Sequence, residues 1–205
     1  MKRTLLATLL SLAAVSGSAQ ATVLTTTYAS NNGQDGNMFD VVTLGGALNL
    51  TAFDLNLDAG TWTVEVYEKS GTWVGFDKNP GAWTLVGSGK VTSTAQDAAT
   101  FFDVADFVLA ATATTGLYIT ATNGGANMNY TNGTGVGKIV AANADMQILE
   151  GAGKQYAFGS TFQNRIWNGG IHYTSATAAA VPEPASLALL GLGLAGLGFS
   201  RRRKA

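Results

Sequence analysis

The sequence predicts an all-β fold, an antiparallel β-sandwich of jelly-roll type, with a short transmembrane helix at its C-terminal end. Apolar and polar residues alternate in many short segments, as strands with one buried face require. Clusters of Gly, Asn and Pro separate these segments at near-regular intervals, which is typical of antiparallel sandwiches. An apolar run near the C-terminus is followed at once by four basic residues. These observations divide the 205 residues into a leader, an exported domain, a linker and a tail.

Residues 1–21 are predicted to be a secretory signal peptide. The chain begins with the basic Met1-Lys2-Arg3, continues with an apolar stretch over 5–15, and reaches the small residues Ala19-Gln20-Ala21. A basic start, a short apolar region and an A-x-A site are the parts of a cleavable leader. The apolar stretch is too short for a retained membrane helix, so we expect cleavage after Ala21 and export of the remainder.

The exported domain, residues 22–174, is predicted to consist of short strands. The clearest lies over 61–67, where Trp62, Val64 and Val66 share one face and are assigned to the core. In 48–57 the apolar alternation changes phase, which predicts a β-bulge near Ala52. Residues 97–111 suit either a helix or a strand, and both stay open. The other strands are predicted at 39–44, 83–91, 116–122, 128–131, 145–150 and 165–174.

Charge and composition limit the classes of function. Between residues 22 and 181 there are 12 acidic and 6 basic residues, so the exported domain carries a net charge of about −6. This balance argues against nucleic acids and anionic membrane surfaces as partners. The chain contains no cysteine, which excludes disulfides, thiol catalysis and thiolate metal sites.

No enzyme motif is complete in this sequence, and we predict no catalytic residue. His172 is the single histidine and no G-x-S-x-G elbow accompanies it, so we interpret it as a structural or surface residue. The Gly-rich segment 133–138 resembles a phosphate-binding loop, but Asn132 and Ile139 break the pattern and a turn is predicted instead. Paired carboxylates are the remaining route to a polysaccharide-acting enzyme, the weakest alternative. The close pairs are Asp54 with Asp58, Glu65 with Glu68, and Asp103 with Asp106.

Two segments are candidates for ligand binding. Residues 31–37 are rich in Asn, Asp and Gly, a composition that suits Ca²⁺, although the EF-hand spacing is absent. A plain Asx/Gly turn is the alternative, and no other cofactor is expected. Trp73 follows the turn-like Ser70-Gly71-Thr72, so we expect its ring to be exposed and to contact a glycan. The opposing interpretation is that large aromatic residues fill the core.

The tail, residues 181–205, follows a linker of small residues at 175–180. Residues 185–200 carry no charge, and as a helix they would span about 24 Å, somewhat less than the roughly 30 Å bilayer core. Arg201, Arg202, Arg203 and Lys204 are expected to remain cytoplasmic, which leaves the domain on the far side of the membrane. The letters G-x-G-x-x-G occur at 191–196, but no strand precedes them and no acidic residue follows, so nucleotide binding is excluded.

The motif Val181-Pro182-Glu183-Pro184, the apolar run and the basic end, in this order, resemble the PEP-CTERM sorting signal. Exported proteins of exopolysaccharide-producing Gram-negative bacteria carry this signal, and the resemblance covers about an eighth of the chain. It implies recognition by an exosortase, a membrane protease that should cut near the Pro-Glu-Pro motif after a membrane-anchored intermediate. The alternative is a single-pass anchor that is never processed.

These features together predict where the protein acts. We expect a protein of the cell surface or extracellular matrix with a non-enzymatic, structural or adhesive role. Export machinery, the exosortase and extracellular polysaccharide are the expected partners. A carbohydrate-binding module is the alternative function.

Overall fold

The computed structural model describes residues 21–125 and 127–176, and this part of the chain contains fourteen β-strands. One turn of 3-10 helix spans Pro80–Ala82. Within the same residues there is no helix with the length and apolarity needed to cross a membrane. The predicted tail and, apart from Ala21, the predicted signal peptide lie outside the described residues.

The strands are β1 (Thr22–Thr25), β2 (Asn32–Gln34), β3 (Gly36–Thr43), β4 (Leu48–Asn56), β5 (Gly60–Ser70), β6 (Thr84–Ser93), β7 (Ala99–Leu109), β8 (Thr114–Ala121), β9 (Met128–Asn132), β10 (Ile139–Ala142), β11 (Met146–Leu149), β12 (Gly151–Lys154), β13 (Thr161–Trp167) and β14 (Gly169–Ser175).

The strands form two antiparallel sheets. The four-stranded sheet has the order β1-β14-β4-β7. The ten-stranded sheet follows the order β2-β9-β13-β12-β3-β8-β5-β6, and β11 adds to β3 with β10 beside it. The predicted all-β, antiparallel class is therefore confirmed, and the jelly-roll order stays a prediction.

Both sheets contribute to one apolar core. Leu50 and Phe53 of β4 pack there with Phe39 of β3 and with Val64 and Val66 of β5. Alternate residues of a strand point to the same face, so the apolar positions of each strand line the space between the sheets. Trp62 is partly buried against this core. The face that the sequence predicts for strand 61–67 is thus the face that packs inward.

The predicted change of phase in β4 is a real β-bulge. The register of β4 with β7 shifts between Leu50 and Ala52, and the register with β14 shifts at the matching place. Against β14 the extra residue is Thr51, whereas against β7 the extra residues belong to β7, between Asp103 and Phe107. The apolar set of β4 changes parity at this bulge and still faces the core. Residues 97–111, left open between helix and strand, contain the eleven-residue strand β7.

Some boundaries differ from the sequence predictions. The single strand expected over 165–174 is two strands, because the chain leaves the ten-stranded sheet after Trp167 and enters the four-stranded sheet at Gly169. β14 continues to Ser175, and the N–H of Ala176 donates to the carbonyl of Ala47. The described fold thus continues to Ala176, two residues past the predicted boundary at 174, and the linker stays a prediction.

Candidate functional site

The outer face of the four-stranded sheet brings together residues that are far apart in sequence. One row of residues that are paired directly across neighbouring strands extends from β1 to β7 and includes His172. The adjacent row of paired residues includes Asp54. Residues directly opposite each other in neighbouring strands share a face, so the side chains of both rows lie together. We call their larger members the sheet-face patch, which consists of Val23, Asp54, Phe101, Asp103 and His172.

His172 and Asp54 form the polar centre of the sheet-face patch. Nε2 of His172 lies 2.8 Å from Oδ2 of Asp54. Gly170, beside Asp54 on β14, leaves room for this contact, because a Cβ there would lie 3.1 Å from Oδ2. His172 is partly buried, in keeping with the predicted structural or surface role, but it has a carboxylate partner that the sequence did not reveal. The two residues are 118 positions apart, and only the pairing of β14 with β4 joins them.

Phe101 supplies the exposed ring of the sheet-face patch. It is 57% exposed, and its ring centroid lies 5.3 Å from that of His172 with the ring planes at 86°. Phe102 and Val104 point into the core, so the period of two leaves Phe101 and Asp103 outside. That alternation is the one local signal that could have identified Phe101, and the Ala and Asp residues around it weaken the signal for a strand.

The patch combines groups that suit a polar ligand with apolar faces. The face of an exposed aromatic ring carries partial negative charge and can receive the C–H groups of a sugar. The carboxylates of Asp54 and Asp103 and the imidazole of His172 are available for hydrogen bonds to hydroxyl groups.

The prediction that Trp73 is exposed is wrong. Its side chain is only 2% exposed, and it packs with Met38, Trp83 and Tyr118 in a second apolar cluster. Its ring therefore offers no open face to a glycan. Trp83 is also largely buried, and its indole N–H donates to the carbonyl of Phe76.

A buried carboxylate explains the position of Trp73. Asp40 of β3 accepts hydrogen bonds from the backbone N–H of Trp73 at 2.9 Å and from the hydroxyl of Thr72 at 2.6 Å. Burial raises the pKa of Asp40, and these two hydrogen bonds and Lys69 oppose that rise. The segment after β5 is thereby held against the ten-stranded sheet. The contact joins residues 33 positions apart, which explains why Ser70-Gly71-Thr72 reads as an open turn from sequence alone.

The predicted calcium segment is partly a strand. Residues Asn32–Gln34 form β2 and pair with β9, and the amide of Asn32 donates to the side chain of Asn132. Asp35 is buried and accepts a hydrogen bond from the N–H of Tyr156. Across the described ranges, no three His, Asp or Glu side chains come together as a metal-binding group. Ca²⁺ binding at 31–37 stays a prediction.

The segment that resembles a phosphate-binding loop is a turn, as predicted. The buried Glu150 accepts hydrogen bonds from the backbone N–H groups of Thr134 and Gly135, at 3.0 and 2.6 Å. Lys138 donates to the hydroxyl of Thr134 at 2.9 Å. Thr134, Lys138 and Glu150 line a cleft of about 280 Å³ beside the end of β1. The N–H groups that would bind a phosphate already serve a carboxylate of the chain itself.

The acidic pairs considered for glycoside hydrolysis have separate partners. Glu65 accepts a hydrogen bond from the hydroxyl of Tyr67, and Asp106 accepts one from Asn49. Asp58 accepts one from Asn129, while Asp54 faces His172. These contacts hold the carboxylates in local hydrogen bonds and give no direct support to an acid–base pair.

Lys154 gives the stability of the domain an alkaline pH dependence. It is completely buried and donates to the carbonyl of Gly159 and the hydroxyl of Thr161, at 2.6 and 2.9 Å. Burial lowers the pKa of Lys154 to about 8, with Asp77 opposing and Lys78 adding to the shift. Lys154 is paired with Gly36 at the start of β3, and Asp35 is the residue before Gly36.

We expect the free energy of unfolding to increase between about pH 8 and pH 10. An unfolded lysine keeps its proton up to about pH 10.4, so in this range the unfolded chain binds a proton that the folded chain has lost. Above about pH 10 the trend should reverse, because burial raises the pKa of Tyr118 to about 12 while an unfolded tyrosine titrates near 10. Urea unfolding at several pH values measures this. The increase should be absent in Lys154→Met, and an equal increase in that variant would refute the assignment.

The last described strand leads directly towards the C-terminal segment. β14 ends at Ser175, and residues 180–204 match the family model of the PEP-CTERM protein-sorting motif. The chain carries a PEP-CTERM sorting signal. The matched range contains the predicted sorting residues Val181, Pro182, Glu183 and Pro184 and the basic residues Arg201, Arg202, Arg203 and Lys204.

The PEP-CTERM signal implies export, a membrane-anchored intermediate and processing by exosortase-type machinery. Its residues lie outside the described part of the chain, so the transmembrane helix and the roles of the individual tail residues stay predictions. No curated protein matches the sequence.

Proposed function

We propose that the protein is a non-enzymatic component of the cell surface or extracellular matrix, with a structural or adhesive role. The observation that carries this proposal is the PEP-CTERM signal directly behind an all-β domain. The signal supplies the route to the outside, and the folded domain is what remains there to interact. The acidic balance of residues 22–181 suits an exposed, soluble surface rather than attachment to nucleic acid.

The second candidate function is carbohydrate binding, with extracellular polysaccharide as ligand. It is favoured by the sheet-face patch, where the exposed ring of Phe101 lies beside Asp54, Asp103 and His172. Under the carbohydrate-binding hypothesis, the sugar stacks on Phe101 and not on Trp73, the residue that the sequence predicted. A polysaccharide-acting enzyme remains the weakest candidate, supported only by the His172–Asp54 contact.

The experiment is sedimentation of the exported protein with the extracellular polysaccharide of its host. We expect co-sedimentation without shortening of the polymer, and at least about tenfold weaker binding for Phe101→Ala, a loss of ~1.4 kcal/mol. The matched control is Val108→Ala, because Val108 is also 57% exposed and lies on the same strand, outside the patch.

Each other result selects a different function. Binding that survives in Phe101→Ala would eliminate the sheet-face patch as the glycan site. Absence of binding by the wild-type protein would eliminate carbohydrate binding and leave the structural role. Shortening of the polymer, measured by size-exclusion chromatography, would contradict the non-enzymatic proposal.

A further inference from the structure

Both ends of the folded domain lie at the same end of the four-stranded sheet. β1 pairs with β14 in antiparallel register, with Thr22 opposite Tyr173. Thr22 is the first residue after the predicted leader, and Ala176 is the last described residue before the tail. The first and last strands of the folded domain therefore lie side by side.

Three turns at this end of the domain, together with the ends of β1 and β14, form a surface that we call the terminal end. They span residues 44–47, 110–113 and 143–145. The N–H of Thr112 donates to the carbonyl of Gly45, the N–H of Leu44 donates to that of Asp145, and Ala176 donates to Ala47 in the first turn. The terminal end is thus one connected surface that includes the start of the tail.

The turns of the terminal end are almost free of charged side chains. Its three turns contain Gly, Ala, Leu, Thr and Asn, with Asp145 as their single ionisable residue. Oδ2 of Asp145 accepts a hydrogen bond from the hydroxyl of Tyr173. Leu44 is 43% exposed at the tip of the first turn.

At the end of the domain opposite the terminal end, acidic residues flank three of the strands. Asp35 precedes β3, Asp58 follows β4 and Asp97 precedes β7. Asp97 is exposed, and hydrogen bonds from Ser30 and Asn56 lower its pKa, so it stays ionised. Acidic groups are repelled by an anionic membrane surface, whereas the terminal end carries little charge to be repelled.

The length of the connection sets how far the domain can stand from the membrane. Nine residue steps separate Ala176 from Ala185, where the uncharged run begins, and they reach at most about 32 Å when fully extended. The nine residues of β4 span about 30 Å, so the terminal end stays within about one sheet length of the membrane.

We propose that in the membrane-anchored intermediate this connection keeps the terminal end nearer to the lipid surface than the opposite end, which carries Asp35, Asp58 and Asp97. The proposal rests on the membrane-anchored stage of the proposed function. It identifies the uncharged turns as the surface that meets lipid, and it leaves the sheet-face patch on the side of the domain, open to a polymer outside the cell.

Fluorescence energy transfer from the domain to the bilayer tests this orientation. The natural chain has no cysteine, so one introduced cysteine takes one donor dye. Gly45→Cys labels the terminal end, since a Cβ at Gly45 meets no atom within 4 Å. Thr94→Cys labels an exposed position at the opposite end, in the turn before β7. The full-length, uncleaved chain is reconstituted into phosphatidylcholine–phosphatidylglycerol vesicles that carry a head-group acceptor dye.

We expect transfer from Gly45→Cys to be severalfold more efficient than from Thr94→Cys. Equal transfer, or more from Thr94→Cys, would overturn the orientation while leaving the anchored stage intact. A chain that does not associate with vesicles would overturn the anchored stage and the orientation together. Insertion of 20 Gly/Ser residues after Ala176 should remove the difference, because such a linker reaches about 25 Å on average. A difference that survives the insertion would overturn the short connection as the cause.

Discussion

Replacement of Trp167 by alanine is expected to lower the free energy of unfolding by about 3–5 kcal/mol, the usual loss for a buried tryptophan. Trp167 is 1% exposed at the end of β13. Its ring stacks on Phe39 with centroids 4.6 Å apart and meets Phe53 edge-on at 6.2 Å. Phe39 belongs to the ten-stranded sheet and Phe53 to the four-stranded sheet, so the indole joins the two sheets.

The position of Trp167 in the chain adds to its importance. The chain crosses from the ten-stranded to the four-stranded sheet at Asn168, and β14 then pairs with both β1 and β4. A cavity beneath this crossing would loosen the last strand before the tail. For a domain of this size we expect the melting temperature to fall by roughly 10 °C.

Two further variants separate the contributions of Trp167. Trp167→Phe keeps most of the packing and removes an indole N–H that has no hydrogen-bond partner among the described residues, so its cost should be below about 1.5 kcal/mol. Phe101→Ala, at an exposed ring, should change stability by less than about 0.5 kcal/mol. Urea unfolding followed by circular dichroism measures all three. If Trp167→Phe is as unstable as Trp167→Ala, loss of packing is not the reason.

The sequence predicted local features of the fold well. The alternation of Trp62, Val64 and Val66 and the change of phase near Ala52 are both properties of neighbouring residues, and both appear in the structure. β7 was harder to assign because Ala and Asp have low preference for strands and obscure its alternation. β1 has only four residues and gains its stability from pairing with β14 at the other end of the chain.

The candidate site depends on distant contacts, and here sequence reasoning had little to use. The Asp54–His172 contact requires the register of two strands that are far apart in sequence. Burial of Trp73 requires Asp40 on another strand to accept its N–H. The PEP-CTERM signal was recognised because all its parts are contiguous in the last 25 residues. The sorting signal is thus encoded locally, whereas the candidate site depends on the fold.

Replacement of both Pro182 and Pro184 by alanine is expected to abolish processing of the tail. Proline fixes its own φ near −65° and favours an extended conformation in the residue before it. We therefore expect the two prolines around Glu183 to favour an extended segment whose peptide bonds a protease can reach. With alanine at both positions, the apolar helix predicted at 185–200 can continue upstream, and its hydrogen bonds would cover the same peptide bonds.

Intact-mass measurement of the protein from a host with the exosortase tests this expectation. The wild-type C-terminus should lie near residues 181–184, and the double variant should still end at Ala205 in the membrane fraction. Glu183→Gln is the control, since it removes a charge while both prolines remain. Processing of Glu183→Gln together with failure of the double variant would show that backbone conformation is decisive. A wild-type chain that ends at Ala205 in such a host would refute processing itself.

The folded domain limits where this cleavage can occur. Ala176 is still hydrogen-bonded to Ala47, so at most a few residues separate the fold from the Pro-Glu-Pro motif. The protease must therefore bind a peptide bond within about 25 Å of a folded sheet, a distance set by fully extended chain. The extended conformation that the two prolines predict would place that bond as far from the domain as the connection allows. Gly/Ser residues inserted after Ala176 in Pro182→Ala test whether access limits cleavage. If access is limiting, the insertion should restore part of the processing that Pro182→Ala loses. If the protease instead recognises the prolines themselves, the insertion should restore none of it.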